Sequence, residues 1–198
     1  DQFGIPGTAS LAVAMLDEGT KTRTSIGSSD ELAALGANLS AGSGLDMSGV
    51  TLEALKDKLD PSLAVFADVV LNPSFPRTDF ERLKRQRLAQ IQQEKADPVG
   101  MALRVFPTLL YGQGHAYANP WTGSGTEESV GRITRDDLVK FHRTWFKPNN
   151  ATLIVVGATT MAEIRPRLER AFAGWGQGDV PEKNIGTVAQ QPRSTVYI

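Results

Sequence analysis

The chain has 198 residues, a net charge of -1, 40% hydrophobic and 22% charged residues, and no cysteine. A chain of this size can bury roughly two-thirds of its unfolded surface, and its balance offers no bulk positive field for nucleic acid or anionic lipid. Disulfides, thiolate metal sites and cysteine nucleophiles are excluded, no apolar run is long enough to span a bilayer, and the first residues lack a signal peptide's pattern. Asp1 is read as a processing boundary, with one or two strands expected ahead of it.

In chain order, Gly7 to Glu18 reads as a helix rich in Ala, Leu and Met, closed by Gly19. Ser28 to Glu31 has the S-x-x-E form of a capping box and should open a short helix stopped by Gly36. Asn38–Ser43 and Asp46–Leu55 flank a Gly-Ser-Gly turn and read as a hairpin with Val50, Leu52 and Ala54 on one face. Asp60-Pro61 should start a helix with the stripe Leu63, Phe66, Val69 and Val70. Thr78 to Glu81 repeats the capping box before Phe80, Leu83, Leu88 and Ile91. A further helix from Pro98 places Val99, Ala102, Leu103, Phe106, Leu109 and Leu110 on one side, with Pro107 inside it. Gly112 to Gly125 reads as a long surface loop. Thr134 to Asp137 starts a helix with Leu138, Phe141, His142 and Trp145 inward. Leu153-Ile-Val-Val156 is a continuous apolar run expected as a strand buried on both faces. Met161, Ile164, Leu168, Ala171 and Phe172 mark the last helix, Gly174 to Pro192 a linker, and Ser194 to Ile198 a strand.

The expected class is α+β, a mostly antiparallel sheet covered by helices. The expected division is a domain over 1–175, then a linker and the first strand of a following domain over 176–198.

Three stretches together resemble the insulinase/pitrilysin family of zinc metallopeptidases: Pro6 to Thr20, Tyr111 to Gly123 around His115, and Ile133 to Gly157 with Pro148-Asn-Asn-Ala-Thr-Leu-Ile-Val-Val-Gly157. The resemblance implies the metalloenzyme LuxS/peptidase-like fold. It also implies, in active members, an inverted H-x-x-E-H motif on the first helix, just before a Gly-Thr pair. Two histidines at that spacing share a helical face and can both ligate zinc, while the glutamate polarises bound water. Aligned on Gly19-Thr20, this chain carries Ser10 and Ala14 in place of the histidines and Val13 in place of the glutamate. The carboxylate ligand expected on a later helix falls near Ala89 and Gln90, with Glu94 one turn on. No metal ligand and no catalytic residue is therefore assigned, and substrate-binding residues stay unassigned.

Family enzymes pair a zinc-bearing half with a degenerate one around a peptide. The resemblance thus implies a non-catalytic half, whose partner (same chain or separate subunit) holds the zinc. The alternative is a structural or assembly scaffold derived from the same family. Neither nucleic acid nor membrane is expected as a partner, and a periplasmic home is suspected from the resemblance alone. The polar strand Asn38–Ser43 is the candidate edge for strand addition by a peptide.

His115 and His142 are the only histidines, too few for zinc, which wants three protein ligands; His142 reads as a core residue from its place on an apolar helical face, and the resemblance implies a packing role for His115. Ser10 and Ser124 lack a nucleophile elbow or a spaced base. Gly123-Ser-Gly125 follows no strand, which argues against a phosphate loop. Arg82, Lys84, Arg85 and Arg87 read as a solvated helix face.

Overall fold

The computed structural model describes residues 4–188 and 193–196. Among the described residues, eight α-helices and one hairpin follow in order: α1 (Thr8–Ala14), α2 (Ser25–Leu35), β1 (Asn38–Ser43), β2 (Ser48–Glu53), α3 (Leu59–Leu71), α4 (Arg77–Ala96), α5 (Pro98–Tyr111), α6 (Glu127–Arg132), α7 (Arg135–Trp145) and α8 (Met161–Ala171). The class is α+β, helices packed on a two-stranded antiparallel sheet.

The short helix α1 is the hub. Its Leu11, Ala12 and Val13, with Met15 and Leu16 just beyond, are buried against Val65 and Val69 of α3, Phe80 and Ile91 of α4, Val130 of α6 and Leu138 of α7. It ends four residues earlier than its composition suggests. The amides of Met15 and Leu16 bond back to Ala12 and Val13, each at 3.2 Å, and such three-residue spacing tightens and stops an α-helix. Gly19 then belongs to an isolated bridge with Thr24 rather than to a helix cap.

Local capping corrects two other starts. Thr24, not Ser28, caps α2 by accepting from the Gly27 amide at 3.1 Å, and Ser28 falls inside the helix with a buried hydroxyl that lacks a partner. α4 starts behind Pro76, so Thr78 lies in its first turn and the expected capping box does not form. Gly36 closes α2 in the left-handed conformation, as read from the sequence. The hairpin pairs Leu39 with Leu52 and Ala41 with Val50, and these four half-buried residues pack on the core.

α3 buries the whole expected stripe, Leu63, Phe66, Val69 and Val70. A second core cluster joins Leu63, Phe66 and Val70 to Leu168 and Ala171 of α8, Phe172 and Trp175. Between α5 and α7 lies a helix the sequence reading missed, α6. Its signal is present in Thr126-Glu-Glu-Ser129, where Thr126 and Ser129 form a reciprocal capping box.

One apolar side lies open, and one expectation about burial fails. α5 forms, but Val99, Leu103, Phe106 and Leu110 are 66, 54, 46 and 45% exposed. The helix is held instead through Pro107, which is buried, and Arg104. Residues 151–157 pair with no described strand, and Ile154 and Val156 are 80 and 92% exposed. An apolar run states what must be covered, but a buried strand needs neighbours on both edges and faces, and the described residues supply none. Residues 176–188 and 194–196 carry no regular structure, and residues 197–198 of the expected last strand lie outside the described residues.

Candidate functional site

The positions aligned with a metal motif all lie on α1 and α4. Val13 is fully buried in the core, where its isopropyl group packs and offers no donor atom. Ser10, half-buried one turn earlier, faces α4, and its hydroxyl accepts from Arg87 Nη2 at 3.1 Å. Arg87 Nη1 donates to Gln90 Oε1 at 3.3 Å. The place where a third ligand is expected is thus held by an amide bonded to a guanidinium.

Glu94 is also committed to a cation. Its Oε2 accepts from Arg104 Nη1 at 2.6 Å, across from α4 to α5. Arg104 further donates to Ser124 Oγ at 3.2 Å and to the Gly125 carbonyl, which fastens the 112–126 loop to both helices. Burial lowers the Arg87 pKa; Glu94 partly offsets this and Arg104 adds to it, although a guanidinium keeps its proton in proteins. Zinc does not fit these residues. A valine, an alanine, a serine and an amide are poor or empty donors, and a fixed guanidinium repels a divalent cation. Among the described residues no group of three or more His, Asp or Glu is arranged to hold a metal.

The other sequence candidates are placed plainly. Ser124 is buried, with Arg104 and Thr122 as its hydroxyl partners; neither is a base. His142 donates from Nε2 to the Val70 carbonyl at 2.8 Å and stacks on Phe146 at 4.6 Å. His115 lies against Tyr111, accepts from the Tyr117 amide on Nδ1 at 3.1 Å and bonds the Gly186 carbonyl through Nε2 at 2.9 Å.

The basic run of α4 is not a uniformly solvated face. Arg85 is exposed, but Arg82 pairs with Glu18 at 2.6 Å, Lys84 donates to the Gly131 and Ile133 carbonyls at 2.8 and 2.7 Å, and Arg87 reaches α1. Three of the four charges tie α4 to its neighbours.

Sequence reasoning also missed the polar cluster around Asp68, a buried carboxylate on α3. It accepts from Thr20 at 2.6 Å, Thr22 at 2.7 Å, Arg23 at 2.9 Å and Asn72 at 3.0 Å, and Arg23 also pairs with Glu31 at 2.7 Å. Burial opposes its ionisation, but the donors outweigh burial and hold its pKa below the usual carboxylate value. The signal was an Asp within an otherwise apolar stripe, which needs partners to be buried.

Comparison with known proteins decides the family. The model for the insulinase family, peptidase family M16, matches residues 1–113. The chain belongs to the insulinase family. A second model, the M16 peptidase inactive domain, matches residues 132–197. The chain is 27% identical over 177 residues to the non-peptidase homolog YmxG of Helicobacter pylori, covering 89% of this chain and 40% of that protein. It is 25% identical over 187 residues to an uncharacterized zinc protease of Rickettsia bellii, covering 92% of this chain and 45% of that protein. The chain therefore spans less than half the length of these two relatives. Its fold matches the peptidase M16 inactive domain of Pseudomonas fluorescens with a TM-score of 0.87 and 30% identity, over 96% of this chain and 45% of that one. The periplasmic protease PqqL of Escherichia coli matches in fold alone, with a TM-score of 0.78 and 18% identity, over 93% of this chain and 21% of that one.

Proposed function

We propose that this chain is the non-catalytic half of a zinc-dependent metalloendopeptidase, forming the chamber wall opposite a zinc-bearing homologous half. One observation carries the reading: at the α1–α4 contact, where the family's metal donors belong, Ser10 is bonded to Arg87. The match to the inactive-domain model supports it, as do relatives named as zinc proteases. Zinc then resides in the partner half, joined in one polypeptide or as a separate subunit, and a peptide is the substrate. The same proposal divides the chain into a peptidase-like domain over 1–175 and a linker leading onward over 176–198. It places the protein in the periplasm on the family resemblance; among the described residues no helix is long and apolar enough to cross a membrane.

β1 bonds only to β2 among the described strands, which supports the proposal that its other edge takes an extended peptide by strand addition. The test is reconstitution. The purified chain is mixed with its zinc-bearing homologue, and cleavage of an unstructured peptide is followed. The reading expects cleavage by the mixture well above that of either part. Failure of the two to associate would sink it.

The alternative is an assembly scaffold, favoured by the similarity to a protein named a non-peptidase homolog. Association that leaves peptide cleavage unchanged would select that reading.

A further inference from the structure

Arg87 stands apart from the other charged groups of its neighbourhood. A guanidinium carries five N–H donors, and two of them are used, one on Ser10 and one on Gln90, which leaves three. Arg87 is half-buried and belongs to no ion pair among the described residues. Glu94, the nearby carboxylate, is taken by Arg104. Two guanidiniums against one carboxylate leave one uncompensated positive charge. A partly desolvated cation with free donors is costly unless an anion meets it.

The Ser10 hydroxyl completes the geometry. Its oxygen accepts from Arg87, so its own hydrogen is available to donate, beside the guanidinium fork. We propose that Arg87 and Ser10 form a carboxylate-binding site at the α1–α4 contact, which takes the free carboxylate of a peptide.

The donor set selects the ligand class. A planar fork matches the two oxygens of a carboxylate. Phosphate dianions are usually held by several cations or by a nest of free backbone amides. Here the second guanidinium, Arg104, is committed to Glu94, Ser124 and Gly125. One fork and one hydroxyl suit a singly charged anion. That a peptide is what brings the carboxylate rests on the chamber-wall reading. The site reverses the electrostatics of a metal centre: where a zinc half presents a cation held by protein anions and imidazoles, this half presents a protein cation.

The test uses the chain alone, with its arginine side chains labelled with nitrogen-15, and follows the Nε–Hε resonances by NMR. The probes are N-acetyl-dialanine with a free C-terminus, the same peptide as its C-terminal amide, and inorganic phosphate. The proposal expects a saturable shift of the Arg87 resonance with the free acid and none with the amide. Binding should weaken roughly tenfold or more in Arg87→Gln, as expected for loss of charge-assisted hydrogen bonds, and be partly recovered in Arg87→Lys. A smaller loss is expected in Ser10→Ala. Equal responses to acid and amide, affinity unchanged in Arg87→Gln with the fold intact by methyl spectra, or phosphate binding more tightly than the free acid would each overturn it. Because no partner half is present, failure here leaves the reconstitution result standing, and the reverse also holds.

Discussion

Arg87 on α4 and Ser10 on α1 are joined by a hydrogen bond of 3.1 Å, at the positions where the proposed reading expects the metal donors of active family members. Val13 is fully buried in the core, and the Arg87 guanidinium faces Ser10 from α4. Both features oppose metal binding at this contact.

Restoring the motif should consequently fail. The triple variant Ser10→His, Val13→Glu, Ala14→His is expected to hold no stoichiometric zinc and to be less stable than the parent. A carboxylate in place of the fully buried Val13 should cost about 3 kcal/mol or more. Urea denaturation together with metal analysis checks both parts. Tight zinc binding without loss of stability would contradict the account.

Asp68 should matter for stability. In Asp68→Ala the donors Thr20, Thr22, Arg23 and Asn72 lose their common acceptor, and the expected loss is about 3 kcal/mol. Its folded pKa is lowered, so its stabilisation is fully present above the unfolded value of about 4 and fades as pH falls below that toward the folded value. Asp68→Asn should be less stable at neutral pH and lose less on acidification. A parallel acid profile in both proteins would count against the cluster's role.

His142 supplies a pH effect in a different window. Burial lowers its pKa, the bond to Val70 opposes this, and Lys147 and Arg143 lower it further. The folded state therefore prefers the neutral ring. Its contribution is intact above the unfolded value of about 6.5 and declines as pH falls below it. Thermal unfolding of His142→Phe between pH 7.5 and 5 should be flatter than that of the parent.

Two glycines of the 112–126 loop separate strain from clash. Gly114 and Gly125 both have positive φ, 84° and 76°, and either alanine should cost on the order of 1 kcal/mol for the backbone alone. A Cβ at Gly114 meets nothing within 4 Å, whereas one at Gly125 would sit 2.5 Å from the Pro6 carbonyl oxygen. Gly125→Ala should be clearly more destabilising than Gly114→Ala, measured by urea midpoint.

Period made α3 and the hairpin legible, and period with a Thr cap made α7 so, because these are local signals; the cap expected at Asp60 does not form, since α3 starts at Leu59 behind Lys58. The apolar side of α5 and the run 153–156 were equally visible as patterns. A pattern names the face that prefers cover, though, and not the element that covers it. Arg87 escaped notice for a related reason. It was read within a basic run, and only the packing of α4 on α1 turns one member of that run toward Ser10. That Ser10, Val13 and Ala14 offer at most one weak donor is legible from residue type once the resemblance aligns them; the cation facing Ser10 is not.

The central claim, that this insulinase-family chain has no metal centre of its own, is tested most directly by zinc per chain in the purified, dialysed protein, read by elemental analysis. The account predicts a value near zero, unchanged by prior incubation with zinc. A value near one per chain that survives dialysis would contradict it.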